Sequence, residues 1–336
     1  MPGFDAIIDQ ERSIRVLTSL LTSRSIPHAL LFTGIDGVGK RTAATAFAMA
    51  CNCTGARVEE RGESCGECTA CRKIAADRHP DVLRVSPSGL QIKIDQIRSL
   101  CQSLAMKPYE ARMRVAIVAE AHRMNPAAGN ALLKMLEEPP DRTVLILTAP
   151  QTADLLPTIV SRCQQIRFKP IAHRHLAAML AAAYGFSPEE ARLTATLANG
   201  SVTRALALQR RGWVQRRKWI LSEMAGLAER PTTALLALAE KSSQAKEDIP
   251  EMLELMATWV RDVAVARYCP DRIIHQDWAG PILDASRRSD LDDLIRAGRA
   301  IEEARRRIRA NSNPRLTLEV LWLSLAAAAG RARAAG

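Results

Sequence analysis

Aromatic residues and long hydrophobic runs are scarce in this chain. Phe, Trp and Tyr together make up 4% of the 336 residues, whereas alanine and arginine are abundant, which suits helical packing better than a β-sandwich. No run of 18 or more uncharged apolar residues occurs, which argues against a transmembrane helix. The N-terminal sequence Met1–Asp5 lacks the basic and then apolar form of a secretory signal peptide. We therefore expect a cytoplasmic protein that does not associate with membranes.

The length and the charge of the chain suggest several domains without marking a DNA-binding surface. A chain of 336 residues exceeds one ordinary core, so we expect two or three domains. The formal charge of +11 invites a nucleic-acid partner. The excess is shared between residues 1–210 and residues 211–336, at +7 and +4, so there is no single basic block.

A phosphate-binding loop with one anomalous residue lies at Gly34–Arg41. Its sequence Gly-Ile-Asp-Gly-Val-Gly-Lys-Arg matches G-x-x-x-x-G-K-[ST] at every place but the last, and in that motif backbone N–H groups and the lysine hold phosphate. Arg41 stands where a Ser or Thr hydroxyl should bind Mg²⁺, and a guanidinium has no acceptor. Thr42 comes one residue later, about 100° further around the helix, and is a poor substitute. The candidate cofactor-binding residues are Gly34, Gly37, Gly39, Lys40 and Thr42.

Alternating strands and helices predict a parallel, doubly wound α/β sheet around this loop. Strands are expected at 29–32, 81–85, 115–120, 143–148 and 165–168, with helices at 42–50, 94–106 and 130–140. The third strand ends in Ala119 and Glu120, where P-loop ATPases normally carry Asp and Glu, the Asp helping to hold magnesium. Ala119 thus removes a second magnesium ligand. Glu120 is either a residual catalytic base or an ordinary surface carboxylate.

Five of the eight cysteines fall between positions 51 and 71 and indicate a metal site. Cys65, Cys68 and Cys71 repeat the C-x₂-C spacing, which lets successive thiolates converge on one ion. Cys53 is our choice for the fourth ligand, with Cys51 the alternate. Cytosolic thiols stay reduced, which favours metal over disulfides, and four thiolates predict a structural zinc without catalysis. A redox pair or plain buried thiols are the alternatives.

Six motifs in order resemble the clamp-loader subunits of bacterial DNA polymerase III. They are Pro27–Gly34, the phosphate-binding loop, the cysteine segment, His79–Asp81, Asn130–Lys134 with Leu136–Pro140, and Ser161–Cys163. The stretch Ile7–Glu11 is also similar to the family's opening box. The likeness is dense over residues 5–170 and loose over residues 171–336.

The resemblance implies three domains. These are a P-loop domain of the AAA+ type at 1–170 with a zinc knuckle inserted at about 51–72, a helical lid at 171–210, and a helical collar at 211–336 by which subunits form a ring. In the lid motif after Gly200, active subunits carry an ATP-sensing arginine where this chain has Thr203, with Arg204 one position late. Cys53 and Cys65 enclose eleven residues, more than the family usually has, and we expect a surface loop to absorb the extra length.

The resemblance also implies a role for Arg162. Two kinds of subunit share these motifs: the gamma/tau motor, which hydrolyses ATP, and the delta prime stator, which usually does not. Arg41 and Ala119 favour the stator, with ATP bound, if at all, without a competent magnesium site. In the family, the Ser-Arg-Cys arginine reaches the neighbouring subunit's ATP site, so Arg162 is the candidate arginine finger. The alternative is that Arg162 pairs with a carboxylate of its own chain.

The expected partners are the gamma/tau and delta subunits and, through the complex, the sliding clamp and primed DNA. Two other functions remain open from the sequence. The first is a gamma/tau-like ATPase that takes magnesium through Thr42 or water. The second is a zinc-dependent DNA-binding module unrelated to clamp loading, which requires the basic residues to cluster in space.

Overall fold

A parallel five-stranded sheet organises the first part of the chain. The computed structural model describes residues 3–331, and its strands are Ala29–Thr33 (β1), Val82–Val85 (β2), Arg114–Val118 (β3), Thr143–Ala149 (β4) and Gln164–Arg167 (β5). Neighbouring strands are parallel throughout, in the order β2-β3-β4-β1-β5. All five strands predicted from the sequence are confirmed, each to within two residues at either end.

Helices connect the strands and form the remainder of the described chain. The first ten are Glu11–Thr22 (α1), Lys40–Asn52 (α2), Arg57–Arg61 (α3), Thr69–Ala75 (α4), Ile94–Ala105 (α5), Pro126–Glu137 (α6), Pro157–Val160 (α7), His173–Tyr184 (α8), Pro188–Leu197 (α9) and Val202–Arg210 (α10). The next six are Trp213–Ala225 (α11), Thr232–Ser243 (α12), Ile249–Ala266 (α13), Ala279–Arg288 (α14), Leu291–Arg309 (α15) and Pro314–Arg331 (α16). None of the described helices is both long enough and apolar enough to cross a membrane.

The sheet is buried on both faces, as the predicted doubly wound fold requires. Side chains alternate along a strand, so Leu30 and Phe32 of β1 enter one apolar core with Phe47 of α2. Leu31 enters the core on the opposite face with Leu132 of α6. Because helices cover both faces, β1, β3 and β4 are buried along their whole length and are largely apolar, whereas β5 at the edge buries only Ile166. The α/β fold class predicted from the sequence is confirmed.

Helix α6 begins four residues before its predicted start. The Asn125 side chain accepts the backbone N–H of Ala128 at 2.8 Å, and Pro126 occupies the first helical position. Both are established helix-start signals. They start the helix three residues after the short 3-10 turn Ala121–Arg123 that follows β3.

Asp81 fastens the segment between α5 and β3 to the edge of the sheet. Its carboxylate is 1% exposed and accepts the backbone N–H groups of Tyr109, Glu110 and Ala111 at 2.9, 2.8 and 2.9 Å. Arg114 Nε adds a fourth contact at 3.3 Å. Burial alone would raise the pKa of Asp81, but these hydrogen bonds outweigh it and hold the pKa below its usual value.

The described chain divides into two compact units, with the boundary between Ala207 and Leu208. The first unit contains the sheet, helices α8 and α9 of the predicted lid and most of α10. The second unit contains the end of α10 and helices α11 to α16, and its described residues form no strand. The finer division of the first unit into a sheet domain and a lid stays a prediction, as does the role of the second unit as a collar.

A buried polar network lies inside the second unit. Arg217 is 0% exposed and binds both carboxylate oxygens of Asp277 at 2.6 and 2.7 Å. Its Nη2 lies 2.9 Å from His275 Nδ1, and His275 Nε2 lies 3.0 Å from the Thr258 hydroxyl. The His275 backbone N–H donates to Asp262 at 2.8 Å. Burial, reinforced by the Arg217 charge, lowers the pKa of His275 to about 3, so the ring is neutral and every partner is satisfied.

Candidate nucleotide-binding site and cysteine cluster

The phosphate-binding loop runs from the end of β1 to the start of α2, as its motif requires. Gly34, Gly37 and Gly39 have φ angles of +145°, +77° and +97°, which glycine adopts without strain. A Cβ atom on Gly34 would lie 2.5 Å from the Phe168 carbonyl oxygen. Glycine is therefore required here for two reasons: the turn needs positive φ angles, and the backbone at Phe168 packs too close to Gly34 to leave room for a side chain.

Lys40 is folded onto the loop that precedes it. Its side chain is buried, and Nζ donates to the carbonyl oxygens of Gly34 and, at 2.8 Å, Ile35. Burial lowers the pKa of Lys40, and the nearby carboxylates of Asp36 and Glu120 offset part of this effect. An ammonium has three donors, so one N–H remains for a ligand.

A cavity of about 470 Å³ opens beside the loop. It lies within the first unit, between the loop, the ends of β3 and β4, and the lid helices. Its charged and polar lining is Asp36, Lys40, Arg41, Thr42, Glu120, His122, Thr148, Tyr184 and Thr203, and its apolar lining includes Ile7, Ile8, Ile171, Met179 and Val202. All candidate phosphate-binding residues except Gly34 therefore line one cavity.

The magnesium ligands that the motif normally supplies are replaced. Arg41 is exposed and lines the cavity, and Ala119 is 4% exposed at the end of β3. Glu120 has the left-handed φ of +53° and also lines the cavity. Its carboxylate is engaged with Arg123 Nη1 at 3.0 Å. The residues present fit a phosphate group, but they do not fit an octahedral Mg²⁺ held by a hydroxyl and an aspartate.

Residues 201–203 pack directly on the phosphate-binding loop. The Val202 backbone N–H donates to the Gly37 carbonyl oxygen at 3.1 Å. A Cβ atom on Gly37 would lie 2.6 Å from both Ser201 Oγ and the Thr203 backbone nitrogen. Thr203, at the place of the sensor arginine, lines the cavity, and Arg204 is not among the described residues that do.

Asp9 and Gln10, to which the sequence analysis gave no role, form a second set of contacts between the start of the chain and the segment after β5. The Asp9 carboxylate accepts the Ala172 backbone N–H at 2.7 Å and pairs with His175 Nδ1. The Gln10 side chain binds both the carbonyl oxygen and the N–H of Lys169, at 2.7 and 2.9 Å. The stretch Ile7–Glu11 was noted in the sequence as similar to the family's opening box, but the residues that Asp9 and Gln10 contact lie about 160 positions later in the chain.

Arg162 lies just past α7, with its side chain on the surface. Its Nη2 is 2.9 Å from Glu137 Oε1, and Nη1 donates to the Thr158 carbonyl oxygen at 3.1 Å. The side chains of Arg162 and Glu137 are 38% and 51% exposed. The pairing with a carboxylate of its own chain, which was the alternative for Arg162, is thus present in this structure. An exposed pair of this kind contributes only about 0–1 kcal/mol, so the guanidinium can exchange partners at little cost.

Four cysteines converge at the predicted zinc site. The sulfur atoms of Cys53, Cys65, Cys68 and Cys71 all lie within 4.8 Å of one another, close enough to bind a metal ion. Cys51 is not in this cluster; it is buried within α2, and burial raises the pKa of its thiol to about 12.

Backbone N–H groups turn toward the sulfurs of this cluster. The N–H of Cys65 points at Cys53 Sγ and that of Cys68 at Cys65 Sγ, at 3.2 and 3.3 Å. Such contacts favour thiolates, which are the metal-binding form.

The extra length between Cys53 and Cys65 is more ordered than the expected surface loop. It contains the short helix α3, which is followed by Gly62 in the left-handed conformation. A Cβ atom on Gly62 would lie 2.8 Å from the Thr18 carbonyl oxygen of α1. The insertion therefore packs on α1, and the expectation of a loop was wrong in this respect.

Comparison with known proteins agrees with this arrangement. The family model described as DNA polymerase III, delta subunit, matches residues 9–172. The DNA polymerase III subunit delta′ of Bacillus subtilis is 30% identical over 323 residues, which cover 94% of this chain and 96% of that protein. The delta′ subunit of Pseudomonas aeruginosa is 41% identical over 140 residues, 41% of this chain and 42% of its own length. The tau subunit of B. subtilis is 36% identical over 168 residues, 50% of this chain but 29% of tau.

The two kinds of relative differ in how much of their length is matched. The tau match covers 50% of this chain, whereas the B. subtilis delta′ match covers 94% of it and therefore includes most of the helical second unit. The sheet, the phosphate-binding loop and the cysteine cluster are thus joined to a helical region that is also similar to delta′. The chain therefore belongs to the family of DNA polymerase III delta′ subunits.

Proposed function

We propose that this chain is the non-hydrolysing stator of a DNA polymerase III clamp loader. It assembles with gamma/tau and delta subunits and, through that complex, acts on the sliding clamp at primed DNA. The observation that carries the proposal is the replacement of both magnesium ligands that the motif supplies. Arg41 lines the cavity at the hydroxyl position, and the aspartate position is Ala119, directly before the cavity residue Glu120.

The loss of hydrolysis follows from charge. In P-loop ATPases the metal bridges the terminal phosphates and neutralises the charge that develops during transfer. A guanidinium has no acceptor with which to hold such a metal. Glu120 reaches the same cavity, but its carboxylate pairs with Arg123. Without a metal that bridges the terminal phosphate oxygens, a carboxylate base at this position has no bound cation to complete the hydrolytic site.

Arg162 is the group by which this stator acts on a neighbour. Its exposure and its weak pairing with Glu137 support a guanidinium that can leave its own surface for a γ-phosphate bound elsewhere. Arginine fingers of this kind accelerate hydrolysis by roughly 10³–10⁵ in GTPases. The residue acts on a nucleotide held by another subunit, so the purified chain does not display the effect.

The cysteine cluster holds a structural zinc. Four thiolates close a tetrahedral site and leave no position for water or substrate. The ion would tie the end of α2 to the start of α4 and so stabilise the first unit. No step of ATP chemistry passes through it.

Two measurements test this function. The purified chain should show no ATP turnover with Mg²⁺ and primed DNA; robust turnover by the chain alone would refute the stator assignment. In the reconstituted clamp loader, Arg162→Ala should lower the turnover stimulated by clamp and DNA. The matched control is Glu137→Gln, which frees the guanidinium and should leave turnover intact. Equal turnover for Arg162→Ala and the unsubstituted complex would rule out a role in trans.

A gamma/tau-like ATPase is the second candidate, and one observation favours it. Thr42 and Glu120 both line the cavity, so a hydroxyl and a carboxylate are present near the expected places. The same turnover assay on the purified chain separates this candidate from the stator.

A further inference from the structure

The structure offers an explanation for Arg41 that goes beyond the loss of magnesium. Arg41 is exposed, lines the cavity and makes no side-chain hydrogen bond or ion pair within the described part of the chain. Its neighbour Lys40 lines the same cavity and keeps one free donor. Two adjacent cations therefore stand at the N-terminal end of α2, where backbone N–H groups and the helix dipole also favour an anion.

We propose that the cavity binds a nucleoside polyphosphate without a divalent cation, and that Arg41 supplies the positive charge that magnesium supplies elsewhere. A guanidinium presents five N–H donors in a planar fork that matches phosphate oxygens. An ordinary P-loop has the lysine as well as the metal, so Arg41 adds one positive charge where Mg²⁺ would add two. Part of the charge compensation that a P-loop normally takes from its metal is thus built into the chain.

The remaining charges of the cavity favour the free nucleotide over its magnesium complex. The carboxylates among its lining residues are Asp36 and Glu120. Glu120 is engaged with Arg123, and Asp36 lies near Lys40. A divalent cation brought in with the phosphates would meet the Arg41 guanidinium, a like charge, where it normally meets a hydroxyl oxygen. Magnesium should therefore weaken binding or leave it unchanged.

The apolar lining indicates a nucleoside as well as phosphate. Ile7, Ile8, Ile171 and Met179 line the cavity, and their side chains offer no donors to an inorganic anion. The volume of about 470 Å³ falls in the range of small-molecule sites, roughly 300–1,000 Å³. An inorganic polyphosphate would use only the cationic part of this surface.

The test is calorimetric titration of the purified full-length chain with ATP, in EDTA and then in excess Mg²⁺. We expect binding in EDTA and equal or weaker binding in Mg²⁺. Arg41→Ala should weaken binding in EDTA about 10- to 100-fold, the effect expected for loss of a charge-assisted hydrogen bond. Arg41→Thr, which restores the usual residue of the motif, should lose the same factor in EDTA. Arg15→Ala, an exposed arginine on α1 outside the cavity, is the matched control and should bind as the unsubstituted chain does.

Each outcome bears on the proposal. It would be overturned by an absence of binding in EDTA, by binding that requires Mg²⁺, or by unchanged affinity in Arg41→Ala. Pyrophosphate binding as tight as that of ATP would refute the nucleoside part. Circular dichroism of Arg41→Ala checks that the fold is intact, which its exposed position favours. The inference is independent of the stator role, because ATP turnover would refute that role without deciding how Arg41 binds phosphate.

Discussion

Replacement of Asp81 by asparagine tests whether one buried carboxylate holds the segment between α5 and β3. The carboxylate accepts three backbone N–H groups and one Arg114 N–H. An asparagine side chain would keep one acceptor oxygen but turn an NH₂ group toward donors. Hydrogen bonds to a charged group contribute about 1.5–3 kcal/mol each, and removing one partner of a buried pair costs about 3–5 kcal/mol. We expect Asp81→Asn to destabilise the first unit by about 3–5 kcal/mol.

The control is Asp77→Asn on the same edge of the sheet. The side chain of Asp77 is 68% exposed and pairs with Arg84 on the surface. Such pairs contribute at most about 1 kcal/mol, so this variant should unfold nearly as the unsubstituted chain does. Both substitutions remove one carboxylate charge, and they differ mainly in burial and in the number of hydrogen bonds.

Urea unfolding can report on the two units separately. All five tryptophans lie in the second unit, at positions 213, 219, 259, 278 and 322. Tryptophan fluorescence therefore reports on the second unit, while far-ultraviolet circular dichroism reports on both. Asp81→Asn should lower the midpoint of the transition seen by circular dichroism well beyond the effect of Asp77→Asn. A shift no larger than that of the control would refute the reasoning.

The pH dependence of this variant follows from the lowered pKa of Asp81. The stabilisation is fully present above the pKa of an unfolded aspartate, about 3.9. It is lost as the pH falls below that value and through the lower pKa of the folded state. The asparagine variant lacks this contribution at every pH, so its difference from the unsubstituted chain should shrink in acid.

Three further predictions concern the metal cluster, the lid and the second unit. The purified chain should contain about one zinc ion, which Cys71→Ser should lose and Cys51→Ser should retain; mass spectrometry showing zinc in both variants would contradict the cluster. Gly37→Ala would place a Cβ atom against residues 201 and 203 of the predicted lid and would also strain a positive φ angle. Gly185→Ala would strain a positive φ angle in the same way, but nothing lies within 4 Å of the added Cβ atom. Limited proteolysis should therefore cut the lid faster in Gly37→Ala than in Gly185→Ala, and equal rates would count against the lid contact. The pKa of His275 is lowered to about 3, so between about pH 6.5 and pH 3 the unfolded chain binds a proton that the folded chain does not. The free energy of unfolding of the second unit should therefore fall by up to about 4 kcal/mol over this range. Acid unfolding followed by tryptophan fluorescence should lose this slope in His275→Gln, and an unchanged slope would assign it to other groups.

The elements of the sheet domain could be predicted because their signals are local. The apolar run of β1, the glycine loop and the alanine-rich α2 follow one another within 24 residues, and each obeys a short-range rule of period or turn chemistry. The errors also had local causes. Helix α6 began earlier than predicted because Asn125 and Pro126 were not recognised as its start signals, and α3 was taken for a loop because its sequence is polar.

The partners of the functional side chains could not be predicted, because they come from distant parts of the chain. His79–Asp81 stood out as a motif, but nothing in it indicates that the carboxylate receives N–H groups from residues 109–111. Glu137 was not identified as the partner of Arg162, although each residue lies in a motif of its own. Likewise, the contact of Gly37 with residues 201–203 depends on how the lid folds back onto the loop.

The sequence by itself determined the chemistry available at each place: Arg41 and Ala119 where magnesium ligands belong, four cysteines at metal-binding spacing, and an arginine after α7. These conclusions need only residue identity and position in a motif, since the charge and donors of a side chain do not depend on its neighbours in space. The tertiary structure decided which groups meet. It brought Cys53 and not Cys51 to the other three sulfurs, paired Arg162 with Glu137, and left Arg41 at the cavity without a partner among residues 3–331. Such choices are made by packing between distant segments, where a difference of a few ångströms separates a contact from none.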